Sequence, residues 1–359
     1  MSTRTHALWI SLGLAACAAP EDATKLPIAD APSGPALQQS QHPIYGGDAP
    51  DAPMHAAVVA LHQVANGSVQ PSPFCSGTLI TPTVVLTAAH CLDVSKGGKP
   101  KSTTMAPGAL AIYAGPGVAL DPAPTAWPVV ETSIFPGYNK YSNVGDLALV
   151  RLGAPLDGVV PVAPLPASLA VTAADIGTPL NFAGFGRTET GTLGVKLQVN
   201  VPLGGLGCTV AGCPSVGDVN GMISYAQPVA GPCSGDSGGP AFIDRAGVPY
   251  VAGVTSYGDA GCTVYGVSTK VDHYQGYIDA FIGDGGAGGA GGEGGAGGEG
   301  GVGGGAGDPC GDGVCGAGES CDGRSGTAAC PSDCAGRTGG KPTQRYCEVE
   351  GACEGPGCP

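Results

Sequence analysis

Gly235-Asp236-Ser237-Gly238-Gly239-Pro240 is the stretch on which the reading of this chain turns. A serine sits here among residues that permit tight, unusual backbone conformations, so the loop can aim several N–H groups at one point. A nucleophilic serine needs such a loop, because a tetrahedral intermediate places an oxyanion where only preorganised donors can meet it. Losing one such donor typically costs about 3 kcal/mol. Taken alone, a Gly-Ser-Gly loop is more often just a turn.

A serine hydroxyl is inert at neutral pH without a base. Of the 6 histidines, His6 and His42 precede the region of short apolar runs, and His55, His62 and His273 have unremarkable neighbours. His90 lies in Thr87-Ala88-Ala89-His90-Cys91, where small residues leave room around the ring and a cysteine can pin the segment. A histidine beside a cysteine is, by itself, usually structural. The imidazole also needs a buried carboxylate to fix its tautomer. Asp146 opens the apolar run Leu147-Ala148-Leu149-Val150 and is the leading candidate, although an Asp at a strand mouth is normally a cap. The force of the reading lies in the three together.

Thr87-Ala88-Ala89-His90-Cys91, Asp146-Leu147-Ala148-Leu149-Val150-Arg151-Leu152 and Gly235 to Pro240 resemble motifs of the trypsin/chymotrypsin family of serine proteases, in the family's order of His, Asp, Ser. Phe74-Cys75-Ser76-Gly77, Ala183-Gly184-Phe185-Gly186-Arg187-Thr188 and Ser256-Tyr257-Gly258 extend the likeness, which runs from Ile44 to about Ile282. The resemblance implies a serine endopeptidase with Ser237 as nucleophile, His90 as general base and Asp146 as its orienting carboxylate. It also implies an oxyanion hole from the N–H groups of Gly235 and Ser237, and substrate binding by Ser256, Gly258 and Gly266.

The same likeness puts Gly231 at the floor of the specificity pocket, six residues before the nucleophile, where enzymes that cut after Lys or Arg carry Asp. A neutral floor would leave a basic side chain desolvated and unpaired, so cleavage after apolar or aromatic residues is expected instead. Ile44-Tyr45-Gly46-Gly47 resembles the new N-terminus of an activated zymogen, its amine pairing with Asp236. The departure from the family is Pro43, where a basic residue normally marks the cut, so a specialised activating protease or another trimming route is implied. The rival from another class is a catalytically silent protease fold that serves as a binding module, targeted by the C-terminal tail. Its usual sign is loss of a triad residue, and none is lost.

Short β-favouring runs between Gly and Pro breaks support the implied all-β fold: Ala57–Leu61, Gly77–Ile80, Val84–Thr87, Ala109–Ala114, Val129–Phe135, Leu147–Leu152, Leu180–Phe185, Lys196–Val201 and Tyr250–Ser256. The one convincing helix is Val271–Ile282, with Val271, Tyr274, Tyr277, Ile278 and Phe281 on one stripe. The resemblance makes this two packed antiparallel six-stranded β-barrels of the chymotrypsin type with a C-terminal helix.

Around that body the chain divides further. Residues 1–16 read as a signal peptide, with Arg4 before an apolar run of about ten residues, too short to span a bilayer. Leu14-Ala15-Ala16-Cys17 resembles a bacterial lipobox, which makes Cys17 the lipidated residue and a lipid the membrane anchor. Residues 17–43 form a disordered leader or pro-segment and 44–283 the protease domain. Residues 284–308 are a Gly-rich linker, and 309–359 a Cys-rich module with 8 of the 15 cysteines. Asp312, Glu319, Asp322 and Asp333 of that module read as solvated acids on a disulfide scaffold rather than calcium ligands, and no metal or other cofactor is expected.

Family-like disulfides are Cys75 with Cys91 and Cys233 with Cys262, leaving Cys208 and Cys213 as a third pair. These six, the eight of the module and Cys17 account for all 15 cysteines, and the odd one falls where a lipid would modify it. Cysteine usage with an export signal places the protein in the cell envelope or outside the cell. The net charge of −14, half of it from 11 acidic and 4 basic residues in 283–359, and the absence of any Lys/Arg run argue against nucleic acid. Proteins or peptides are the expected substrates.

Overall fold

The computed structural model describes residues 25–28, 44, 47–95, 102–187 and 193–284, together with five short strands between 319 and 353. Cys17, the signal peptide, the linker and the side chains of the Cys-rich module lie outside the described residues.

Two sheets carry the body. In the first, β2 (Val58–Ala65), β4 (Cys75–Thr81), β5 (Val84–Thr87), β6 (Leu110–Tyr113), β7 (Thr125–Ile134) and β8 (Ala148–Leu152) pair in the order β7-β6-β2-β4-β5-β8, and a β7–β8 ladder closes the six into a barrel. The short β3 (Ser68–Val69) pairs with β2. Closure leaves these strands without free edges. β4 and β5 are buried on almost every residue, so they read as continuous apolar runs rather than alternating ones.

The second sheet runs β10 (Leu197–Pro202), β9 (Pro179–Gly184), β13 (Pro240–Arg245), β14 (Val248–Gly258), β15 (Tyr265–Lys270), β12 (Met222–Ala226) and β11 (Gly205–Leu206). It is an open path of seven strands, a half-barrel, and with the closed first barrel it gives the two packed β-barrels expected from the sequence. β11 follows β10 after two residues and pairs with β12, and the Gly204 N–H to Ser224 carbonyl and Gly207 N–H to Met222 carbonyl bonds, both 2.8 Å, extend that ladder at its two ends. Each sheet has its own core. Leu61, Leu79, Leu86, Ile112 and Leu149 fill the first, and Leu180, Phe182, Ile223, Tyr225 and Ile243 the second.

The expected helix begins as a 3-10 turn, Val271–Tyr274, and continues as α2, Gln275–Asp284, two residues past the end read from the sequence. Val271, Tyr274, Ile278 and Phe281 pack into the core of the first barrel although the chain has just left the second sheet. The Tyr277 hydroxyl donates to Ser133 Oγ at 2.9 Å, and Arg151 donates to the Phe281 carbonyl. The helix thereby straps the two halves together.

The leader departs from its expected disorder at one place. β1 (Leu26–Pro27) pairs antiparallel with β7, Leu26 opposite Ala126, and Ile28 is buried in the first core. The Lys25 ammonium lies over the Trp127 ring, 4.8 Å from its centroid. Beyond residue 318, Glu319–Ser320 pairs parallel with Ala328–Ala329, and Gly336–Arg337, Tyr346–Glu348 and Ala352–Cys353 form an antiparallel set.

Candidate active site

Strand register brings the histidine and the aspartate together. β5 pairs with β8 so that Thr87 faces Ala148. His90 follows Thr87 by three residues, on the single turn α1 (Ala89–Leu92), and Asp146 precedes Ala148 by two. His90 Nδ1 and Asp146 Oδ2 are 2.7 Å apart, and the His90 backbone N–H donates to Asp146 Oδ1 at 2.8 Å.

Asp146 is completely buried, so its carboxylate needs every partner it can hold. Ser256 Oγ on β14 donates to Oδ2 at 2.5 Å, and Thr269 Oγ1 on β15 donates to the Asp146 carbonyl at 2.9 Å. Burial by itself pushes the His90 imidazole down. The Asp146 charge and its hydrogen bond outweigh burial and hold the His90 pKa above the ordinary histidine value. His90 keeps 30 % of its side chain exposed, on the cleft side.

Ser237 comes from the second half. Its loop is tied to the first barrel through Ser76 on β4, a fully buried side chain. The Ser76 N–H donates to the Ser237 carbonyl at 2.8 Å and Ser76 Oγ to the Gly235 carbonyl at 2.9 Å, while Ser76 Oγ accepts from the Phe185 N–H at 3.0 Å. The Ser237 carbonyl lies 3.6 Å from Cys91 Sγ, which sets the serine beside the histidine turn. The turn requires φ of +99° at Gly235 and +82° at Gly238, and a Cβ on Gly238 would stand 2.1 Å from Thr87 Oγ1. Among the described residues, the N–H groups of Gly235 and Ser237 donate to no protein acceptor and Ser237 Oγ makes no hydrogen bond.

Asp236, between them, points the other way. Its fully buried carboxylate accepts the Gly186 N–H at 2.8 Å and the Cys233 N–H at 2.9 Å. Burial pushes its pKa up to about 7 against those two bonds, and no cation among the described residues pairs with it. Ile44, expected to supply that cation once freed, is 1 % exposed in the second core at φ +58°.

A cleft of about 200 Å³ opens beside Ser237. Ser256, Gly258 and Gly266, expected from the sequence, all line it, together with Tyr225, Gln227 and Tyr257. Gly231 does not. The Gln227 side chain lies over it, with Cβ and Oε1 both 2.6 Å from where a Gly231 Cβ would stand, so the expected glycine floor is covered by an amide.

Disulfides join Cys75 to Cys91, Cys208 to Cys213 and Cys233 to Cys262. The first anchors the histidine turn to β4, and the third ties the serine loop to the cleft wall. Cys75, His90 and Cys91 bring metal-ligand atom types together, but the two sulfurs are bonded to each other and offer no thiolate.

Ser256 was read as a substrate-binding residue, and its side chain proves to be a donor to Asp146. Ser76 was noted only within the family-like Phe74-Cys75-Ser76-Gly77, without a role, and Thr269 carried no signal.

The model of the trypsin family matches residues 44–278. The chain is similar to a trypsin-like protease of Streptomyces glaucescens, 32% identical over 246 residues that cover 66% of this chain and 84% of that protein. Brachyurin of Leptuca pugilator is 30% identical over 217 residues, 58% of this chain and 81% of its own. Vitamin K-dependent protein C of Rattus norvegicus is 29% identical over 230 residues, and there the chain spans about half of the relative's length, 46%. Two halves meeting at a His–Asp couple, a glycine-rich serine loop facing it, and a family match over most of the folded body lead to one assignment: the chain belongs to the trypsin family.

Proposed function

We propose that the protein is a serine endopeptidase in which Ser237 attacks the scissile carbonyl and His90, oriented by Asp146, takes the hydroxyl proton and delivers it to the leaving amine. The carrying observation is the buried His90–Asp146 couple at 2.7 Å, facing a serine whose own amide and that of Gly235 are undonated. Those two N–H groups would receive the oxyanion. Water then repeats the cycle on the acyl-enzyme, with His90 as base again. A Ser237 Oγ to His90 Nε2 hydrogen bond would form when substrate fills the cleft, since catalytic hydrogen bonds are often completed only in the substrate complex.

The cleft favours a neutral residue at the cleaved position. Its inner wall is Tyr225, Gln227, Pro232 and Gly266, without a carboxylate. Asp259 also borders the cleft, but on the exposed loop after β14, and its oxygens accept the N–H groups of Gly261, Thr263, Val264 and Tyr265. Burial alone would raise its pKa, and those four donors hold it below the ordinary aspartate value.

Activation would follow a cut before Ile44, whose freed amine would neutralise the buried Asp236 carboxylate. A β-branched residue at φ +58° is strained by about 1–2 kcal/mol, which the cut would release. Disulfides in both halves suit an exported protein, and Cys17 would carry a lipid anchor.

Reaction with a fluorophosphonate, lost in Ser237→Ala, tests the reading, alongside hydrolysis of a peptide library. A folded, Ile44-initiated protein that never reacts would favour the silent binding module instead.

A further inference from the structure

We propose that Gln227 sets the specificity of the cleft, selecting a neutral side chain whose tip carries a hydrogen-bond donor, the phenol of tyrosine or the amide of glutamine. The inference rests on the peptidase reading and names the substrate class of that same cleft.

Gln227 follows β12 directly, and its N–H donates to the Val264 carbonyl just before β15, so its side chain is delivered between two walls of the cleft. It is 1 % exposed. Its Nε2 donates to the Pro232 carbonyl at 3.2 Å. A backbone carbonyl can only accept, which fixes the amide's orientation and turns Oε1 the other way. Oε1 has no partner, one of only four such buried side-chain atoms among the described residues.

Its direction is set by two glycines. Oε1 stands 2.6 Å from where a Cβ on Gly231 would be and 2.7 Å from one on Gly266, and Gly266 lines the cleft with Gln227. A side chain at either position would displace the amide. The neighbouring Tyr225 hydroxyl is shared with Ser268 Oγ at 3.4 Å, so it does not satisfy Oε1. One unmet acceptor thus lies buried at the inner end of the cleft, beside Gly266 and among aromatic and glycine surfaces, within reach of a side chain that displaces its covering neighbours.

A buried acceptor without a donor is costly, and the cost is recovered by an occupant that supplies one. Phenylalanine or methionine fills the same space and leaves Oε1 unmet. Lysine or arginine brings donors, but also a full charge that a neutral amide cannot balance in a desolvated site. Tyrosine and glutamine bring a donor without a charge.

The test compares peptides that differ only in the donor, Tyr against Phe and Gln against Met, with Lys and Arg included. Rates are taken per fluorophosphonate-titrated site in the mature full chain, in Gln227→Met and in Gln227→Glu. We expect the donor-bearing member of each pair to be favoured about tenfold in kcat/KM, equivalent to about 1.4 kcal/mol. That ratio should collapse to near one in Gln227→Met, and Gln227→Glu should raise cleavage after Lys and Arg relative to Tyr.

Equal rates within the pairs in the unsubstituted protein, ratios unchanged in Gln227→Met, or a Lys/Arg preference already present with Gln227 in place would overturn the inference. Should Gln227→Met not fold, the charge response of Gln227→Glu decides. A protein that titrates but does not discriminate defeats only this inference. One that never titrates defeats the peptidase reading with it.

Discussion

At the scale of residues, the chemistry rests on one buried carboxylate with three donors, the His90 N–H, His90 Nδ1 and Ser256 Oγ. Only the neutral imidazole can accept a proton, and the Asp146 charge holds the His90 pKa above its ordinary value. The rate should therefore rise with pH through an acid limb lying above that of a free histidine, read from a kcat/KM profile. Asp146→Asn should keep the fold but lower kcat about 10⁴-fold, because the imidazole is held in the wrong tautomer. Ser256→Ala removes a donor that competes for the carboxylate charge, so it should move the acid limb of the same profile to higher pH.

Asp236 acts on stability instead. Its folded pKa, about 7, stands above its ordinary 3.8, so the folded state binds the proton more tightly and loses stability as pH rises between those values. The loss is about 4 kcal/mol in the uncleaved chain. Asp236→Asn should flatten melting temperature against pH over that window, and in the Ile44-initiated form the slope should shrink because the amine offsets the charge.

The proposed triad of His90, Asp146 and Ser237 could be picked out from the sequence because each residue sits in a contiguous motif. The parts played by Gln227, Ser76 and Thr269 could not, because they arise from which strands lie side by side; even Ser76, inside a quoted motif, showed nothing of its bonds to the serine loop.

At the scale of elements, the nine expected strands all lie on observed ones, with ends shifted by a few residues. Those that escaped notice have a physical signature. β13 begins at Pro240, and a proline demotes a run unless it falls at a strand's first residue, where no ladder donor is needed. In β12 and β15, Ser224, Ser268 and Thr269 are fully buried, so the apolar alternation that flags a strand is interrupted by side chains hydrogen-bonded inside the sheet. β1 was missed because a two-residue pairing leaves no period to read.

Its contribution is correspondingly small. Burying Ile28 is worth roughly 2–3 kcal/mol, below the 4 kcal/mol or more that association costs a separate chain. The leader should stay docked while covalently attached and leave once the chain is cut before Ile44, which gel filtration of the cleaved protein followed by mass spectrometry of the fractions checks. The Cys75–Cys91 bridge closes a loop of sequence separation 16 around His90. Replacing both cysteines by alanine should cost about 3 kcal/mol in denaturant unfolding, and should lower kcat more than it raises KM because the histidine turn is freed.

At the scale of the molecule, two separate cores meet along a line where the proposed catalytic groups come from opposite sides, held in register by Ser76, the serine loop and the α2 strap. Peptide cleavage as proposed depends on that junction, so truncation after Asp284 should leave kcat/KM on short peptides unchanged within a factor of about two, since the described residues of both cores all precede that point. The closed first barrel was expected. So was the second, and what composition could not report is that it is a half-barrel, since that depends on how near β10 comes to the far end of the sheet.

One measurement bears on the whole reading: time-resolved fluorophosphonate labelling of the leader-bearing chain and of protein beginning at Ile44, with Ser237→Ala beside each. Rapid, stoichiometric labelling of the Ile44 form, slow labelling of the leader-bearing chain and none in either Ser237→Ala protein is the expected result. A folded Ile44 form that does not label, or labelling that survives Ser237→Ala, would contradict it.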